Sequence, residues 1–186
     1  MNLRDRCLKV VVPISSVNAK VLIVGDQAVG KTSTIRRFVD DSFKDNYLPT
    51  LGFEISVKTL QIQDRMVVFS IWDIAGQQCF DPMRLQYYAG SQGFLMVFNL
   101  AVRGTLRNLD NWIVDIQNTC PNAPIVIIGN KSDLPDRAVT DDDINSKVTT
   151  YGAVGAILTS AKTGEGVVEA FMLLGESILS KEDSMQ

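Results

Sequence analysis

Gly25-Asp26-Gln27-Ala28-Val29-Gly30-Lys31-Thr32 decides how this chain is read. The stretch has the form G-x-x-x-x-G-K-[ST], in which a glycine-bearing turn presents backbone N–H groups to phosphate oxygens. Ala19-Lys20-Val21-Leu22-Ile23-Val24 before it is apolar and β-prone. Thr32-Ser33-Thr34-Ile35-Arg36-Arg37-Phe38-Val39 after it carries apolar residues at helical spacing. A strand therefore delivers the chain to a tight turn that opens into a helix. Gly25 and Gly30 permit backbone angles closed to other residues, and the helix adds its positive end. Gln27, Ala28, Val29, Gly30, Lys31, Thr32 and Ser33 form the expected phosphate cradle. Lys31 is expected to reach the β- and γ-phosphates, and the Thr32 hydroxyl to ligate Mg2+. The plainer reading, a glycine-containing turn with a surface lysine, does not explain why the pattern falls between a strand and a helix.

Composition sets the outer limits. At 186 residues the chain suits one domain with a substantial core. Its 46% hydrophobic and 21% charged residues are those of an ordinary globular protein. A net charge of −3 without a basic cluster argues against a nucleic-acid partner. Cys7, Cys79 and Cys120 are odd in number and widely spaced, which argues against a disulfide framework and fits a reducing, cytoplasmic compartment. No apolar run approaches the ~18 residues that span a bilayer. Histidine is absent, so neither imidazole acid–base catalysis nor imidazole metal ligation is available.

Outward from the glycine turn, the chain alternates strands and helices. Residues 1–18 read as an N-terminal extension in which the short Val10–Ile14 run packs on the domain edge. Asp40–Pro49 is polar and aperiodic, and a loop of that length in a compact domain is usually functional. Phe53–Val57 alternates as a half-exposed strand, and Gln63-Asp64-Arg65 turns it into an antiparallel hairpin with Met66–Trp72. Met66–Trp72 is nearly all apolar, which predicts an interior strand covered on both faces. Phe94–Phe98, Pro124–Gly129 and Val154–Leu158 read as further strands. Helices are expected over Leu106–Ile116, Asp141–Thr150 and Gly166–Ser180, and Lys181–Gln186 as a frayed tail. The pattern implies an α/β fold: a mostly parallel six-stranded sheet with one antiparallel edge strand, helices on both faces and ligands at the strands' carboxyl ends.

Loops after separate strands carry matching chemistry. Tyr47-Leu48-Pro49-Thr50 closes the long polar loop, where Thr50 can offer its hydroxyl to Mg2+ and its N–H to a γ-phosphate. In Asp73-Ile74-Ala75-Gly76-Gln77, Asp73 can hold Mg2+ through its water shell. Gly76 lets its N–H approach the γ-phosphate, and Gln77 can orient a water for in-line attack. In Asn130-Lys131-Ser132-Asp133, the Asp133 carboxylate can accept hydrogen bonds from the N1–H and amine of guanine, whereas adenine would leave it unpaired. Asn130 would brace the loops and the Lys131 stem cover the base. Ser160-Ala161-Lys162 can offer the Ala161 N–H to the guanine carbonyl.

In order and spacing these five motifs resemble those of a Ras-superfamily small GTPase over residues 19–180. Leu51-Gly52-Phe53-Glu54-Ile55, Ser70-Ile71-Trp72-Asp73 and Tyr87-Tyr88-Ala89-Gly90 are most similar to the Rab branch, whereas Ala28-Val29-Gly30-Lys31-Thr32 is closer to the Rho style. The resemblance implies a P-loop fold and a switch that hydrolyses bound GTP to GDP. Its site residues would be Lys31 and Gln77 for catalysis and Thr32, Thr50 and Asp73 for Mg2+. Phe43, edge-on to the guanine, and Tyr47 would join Gly76, Asn130, Lys131, Asp133, Ser160, Ala161, Lys162 and residues 27–33 in holding the nucleotide. Residues 43–52 and 74–90 would be two switches read by exchange factor, activating protein and effectors.

Several residues depart from that pattern. Gln27 stands where the family usually has a small residue and would sit beside the γ-phosphate, which implies slow intrinsic hydrolysis. Ile74 and Gln78 replace a usual threonine and glutamate. No cysteine follows Cys120, so a prenyl anchor, and with it peripheral membrane association, would need chain beyond residue 186. One alternative stays open, a scaffold that binds GTP and scarcely turns it over; a P-loop kinase is disfavoured, because it would need a second substrate site and the base loop here specifies guanine.

Overall fold

The protein is described here from a computed structural model covering residues 16–44, 50, 52–75 and 83–185. The chain runs β1 (Ser16–Val24), α1 (Lys31–Asp40), β2 (Phe53–Ile62), β3 (Arg65–Ile74), α2 (Met83–Tyr88), β4 (Gly93–Asn99), α3 (Arg103–Thr119), β5 (Ile125–Asn130), α4 (Asp141–Tyr151), β6 (Gly155–Thr159) and α5 (Val167–Met185). The strands form one sheet in the order β2-β3-β1-β4-β5-β6. β1 pairs in parallel with β3 and β4, and β4, β5 and β6 continue in parallel. Edge strand β2 alone runs antiparallel, as expected of the hairpin.

Period-2 side-chain alternation explains both layers. Along β1, Val21 and Ile23 point into a core shared with Phe38 of α1 and Phe171 and Leu174 of α5. Leu22 and Val24 point the other way, among Leu106, Trp112 and Ile116 of α3 and Ile144 and Tyr151 of α4. From β1 the chain goes to β2 and β3 on one side, and the connection from β3 then crosses past β1 to β4 on the other. Such a reversal opens a crevice at the strand's carboxyl end, and Gly25–Gly30 occupies it.

Four local readings change. β1 starts at Ser16, pairing with Met66, so the sheet reaches into the segment read as an extension. β3 is sealed on one face only: Val67, Phe69 and Ile71 are fully buried, while Met66, Val68, Ser70 and Trp72 are half-exposed. The short α2, unsignalled because six residues barely express a helical period, packs near that end of the sheet through Tyr87, which is tilted against Phe53. The tail read as frayed is helical: α5 runs to Met185, with Ile178 and Leu179 buried and Glu182 and Asp183 both paired with Arg65 of the hairpin. Val10–Ile14, Tyr47, Gly76, Gln77 and Gln78 lie outside the described residues. No described helix is long and apolar enough to cross a membrane.

Phe171 stacks on Phe38 with centroids 3.7 Å apart and meets Phe69 edge-on. Phe171→Ala is expected to cost about 3–5 kcal/mol in denaturant unfolding, as a large cavity in a core does. Arg65→Ala, which removes only rim ion pairs, should cost no more than about 1 kcal/mol in the same measurement.

Candidate functional site

The turn after β1 is built around two close approaches. Gly25 has φ +137°, and a Cβ there would lie 2.1 Å from the Val97 carbonyl oxygen of β4. At Gly30, with φ +103°, a Cβ would lie 2.2 Å from Asn130 Nδ2. Neither position can hold a side chain without moving backbone or a buried amide. Ala28 adopts φ +62° without being glycine, a left-handed conformation costing an L-residue roughly 1–2 kcal/mol. Strain of this kind persists where surrounding structure over-determines it.

α1 then begins with no side-chain cap and no acidic residue in its first turn. Its free N–H groups and positive end face the turn, which suits an anion. Lys31 is 6% exposed and donates to the carbonyls of Gly25 at 2.8 Å and Asp26 at 2.9 Å. Burial pulls its ammonium down to about 8, opposed by the nearby Asp73 and Asp26 carboxylates. Gln27 and Ala28 are exposed on the loop and Ser33 is half-buried.

Three oxygen-bearing side chains meet beside Lys31. Thr32 Oγ1 donates to Asp73 Oδ2 and lies 3.0 Å from Thr50 Oγ1. Asp73 is 2% exposed, and its Oδ1 is buried with no hydrogen-bond partner. Burial, only partly offset by Thr32 and Lys31, pushes the Asp73 carboxyl up. A buried carboxylate oxygen without a donor, next to two hydroxyls, fits a small hard cation with oxygen ligands. Among the described residues no three His, Cys, Asp or Glu side chains come together as a metal group, so a cation here depends on hydroxyls. Thr32, Asp73, Glu54 and Arg36 line a small open pocket between α1 and β2.

The loops after β5 and β6 join this turn through one amide. Asn130, 1% exposed, donates from Nδ2 to the Val29 carbonyl at 2.8 Å. Its Oδ1 accepts from Thr159 Oγ1 and from the Ala161 N–H, each at 3.1 Å. The N–H expected to meet the guanine carbonyl thus donates to Asn130 in this structure. Ser160 Oγ donates to Asp133 Oδ1 at 2.7 Å, orienting the carboxylate expected to read the base. Lys131 turns the chain with φ +67° and is half-buried, as is Phe43, while Lys162 is exposed.

Sequence reasoning missed three features. Asp26, an unspecified position of the motif, accepts from Asn108 Nδ2 at 2.7 Å and Trp112 Nε1 at 3.4 Å, tying the turn to α3. Arg37 reaches the loop after β6. Phe53 stacks on Trp72 at 5.3 Å and meets Tyr87 at 4.9 Å, with Lys20 Nζ 4.5 Å over the Trp72 ring. Each joins residues distant in sequence, and only the alternating aromatic content of β2 and β3 gave any hint.

Residues 20–180 match the sequence model of the Ras family. The chain belongs to that family. Its members are GTP-binding GTPases, and this protein is therefore a GTPase switch most like the Rab branch. It is 34% identical to the Ras-related protein Rab-4 of Dictyostelium discoideum, over 89% of this chain and 81% of that one. It is 33% identical to the Ras-related protein SEC4 of Saccharomyces cerevisiae, over 89% and 77%. For the Ras-related protein Rab-10 of Diplobatis ommata the figures are 31%, 87% and 82%.

Asn130→Ala would leave the buried Val29 carbonyl, Thr159 hydroxyl and Ala161 N–H without their partner. In this Ras-family protein we expect a loss of about 2–4 kcal/mol in unfolding free energy, from more than one unsatisfied buried group. Urea titration of the nucleotide-free protein would measure it.

Proposed function

We propose that this chain hydrolyses GTP to GDP and phosphate in a Mg2+-dependent cycle whose two switch segments are read by regulators and effectors. The observation that carries the reading is the Asn130 amide, which draws the phosphate turn, at Val29, and the base loop, at Ala161, into one site. Lys31 and the turn's N–H groups hold the phosphates, and Asp133 selects guanine. Thr32, Thr50 and Asp73 would hold Mg2+, which when bound would neutralise phosphate charge. Gln77 orients the attacking water; as its oxygen adds to the γ-phosphorus the bond to the bridging oxygen breaks, GDP leaves with that oxygen, and the water's proton passes to the released phosphate. As in phosphoryl transfer by this family generally, positioning and charge neutralisation, rather than covalent participation, carry most of such catalysis. Tyr47, Phe43, Gly76, Lys131, Ser160 and Lys162 complete the nucleotide contacts.

Effector reading is supported by the exposed β2 face beside the first switch, where Phe53, Ile55 and Val57 are 43%, 45% and 59% exposed. Thr50 and Gly52 lead into it and Ile74 pairs with its Phe53; residues 43–52 and 74–90 are the proposed switches, and losing the γ-phosphate would release Thr50 and Gly76 and relax both. The proposed setting is cytoplasmic. A second reading, a GTP-binding scaffold, draws on the long Gln27 amide exposed on the phosphate turn.

Wild-type protein should bind GDP and GTP and reject ADP and ATP. Asp133→Ala should weaken GDP binding by about 100-fold or more, because a site built to hydrogen-bond a base loses that discrimination with its carboxylate. Calorimetric titration would decide it, and equal affinity for ATP would sink the guanine reading. In single turnover, phosphate release should be slow and should quicken with Gln27→Gly; no release from either protein would favour the scaffold. Chelating Mg2+ should speed nucleotide release, and Asp73→Ala should abolish that sensitivity.

A further inference from the structure

Arg37 lies near the end of α1, on the helix that begins at the phosphate turn, yet its guanidinium is directed at the loop after β6. Nε donates to the Ala161 carbonyl at 3.1 Å, and one terminal nitrogen donates to the Lys162 carbonyl at 2.7 Å. The other donates to the Asp41 carbonyl at 3.1 Å and to Asp41 Oδ1 at 2.9 Å. The Arg37 side chain is 16% exposed while that of Asp41 is 93% exposed, so the ion pair is a solvated one of small value. The two loop carbonyls are the substantive partners. A Cβ at Gly164, where φ is +94°, would lie 3.5 Å from Arg37 Cδ, so the loop also wraps closely around the stem.

Peptide planes are rigid. Once Arg37 fixes the carbonyls of Ala161 and Lys162, only the φ and ψ of Ala161 separate that anchor from the Ala161 N–H. Ser160, one residue earlier, orients Asp133. We propose that Arg37 is a positioning residue: it holds Ser160-Ala161-Lys162 in the orientation that grips the base and thereby sets how long nucleotide is retained. The fork of a guanidinium is required, since its separate donors reach two successive carbonyls, whereas an ammonium is a single point charge. The same helix carries Lys31 and Thr32 at its start, so the clamp joins the base loop to the element that holds the phosphates. The proposal rests on reading this loop as part of a guanine site.

The test is the dissociation rate of ribose-labelled GDP and inosine diphosphate from the full Mg2+-loaded chain. Inosine lacks the amine that Asp133 would read. Arg37→Gln should release GDP about tenfold faster, the equivalent of one charge-assisted hydrogen bond. It should also shrink the difference between GDP and inosine diphosphate, because Asp133, no longer held by a fixed Ser160, loses its contact with the amine. Arg37→Lys should fall between, and Arg65→Gln, whose pairs lie on Glu182 and Asp183, should match wild type. Wild-type release of GDP by Arg37→Gln overturns the proposal. So does a loss of both nucleotides in equal proportion, which marks a merely structural role. If Arg37→Gln does not fold, Arg37→Lys is judged by the same two criteria. A wild-type protein that keeps ADP as long as GDP overturns the guanine reading itself, before any variant is compared.

Discussion

The Gly25 backbone passes the Val97 carbonyl so closely that no Cβ fits between them, and most of the site follows from that contact. It presses the turn after β1 against β4, at the place where the sheet's connections reverse direction. With the turn pinned there, α1 starts where its free N–H groups face the crevice and Lys31 is buried under the loop's own carbonyls. A shift in the Gly25–Val97 approach would move the cradle, the helix and the lysine together.

Side chains rather than regular elements lock the crevice. Asp26 fastens the turn to α3, Asn130 joins it to the loops after β5 and β6, and Arg37 joins α1 to the second of those loops. These are buried or half-buried polar contacts, and a partner missing from any one leaves a desolvated group unpaired. On the proposed function, the residues that hold these loops together are also those that would aim them at a nucleotide. Asp73 stands apart. Its Oδ1 is buried without a donor, a cost the folded chain accepts at a position where a cation would remove it.

The two faces of the sheet differ in purpose. Along Val21–Val24 of β1 and along β4 and β5 both faces are buried, and the apolar runs of those strands make that plain in advance. β2 and β3 are covered on one face and open on the other, where Phe53, Trp72 and Tyr87 gather. The apolar run Met66–Trp72 suggested full burial, because a hydrophobic face waiting for a partner reads the same in sequence as one already buried.

The order of strands and helices, the glycine turn between β1 and α1 and the one antiparallel hairpin were legible because each depends on short-range spacing: periodicity, glycine placement and turn residues a few positions apart. Element ends were less legible. The tail after Ser180 is polar, and its tertiary partners, Arg65 for Glu182 and Asp183 and the Asn122 carbonyl for Lys181, lie far away in the sequence. Asp26 against Trp112, Arg37 against Ala161 and the unpartnered Asp73 oxygen had no local signature. Those contacts exist because the parallel sheet brings the ends of distant strands together, and a polar side chain's partner is chosen by that convergence rather than by its neighbours in the chain. The sequence by itself determined which chemistry is present and in what order; the tertiary structure decided which groups touch, since burial and hydrogen bonding between remote segments arise only when the chain is folded.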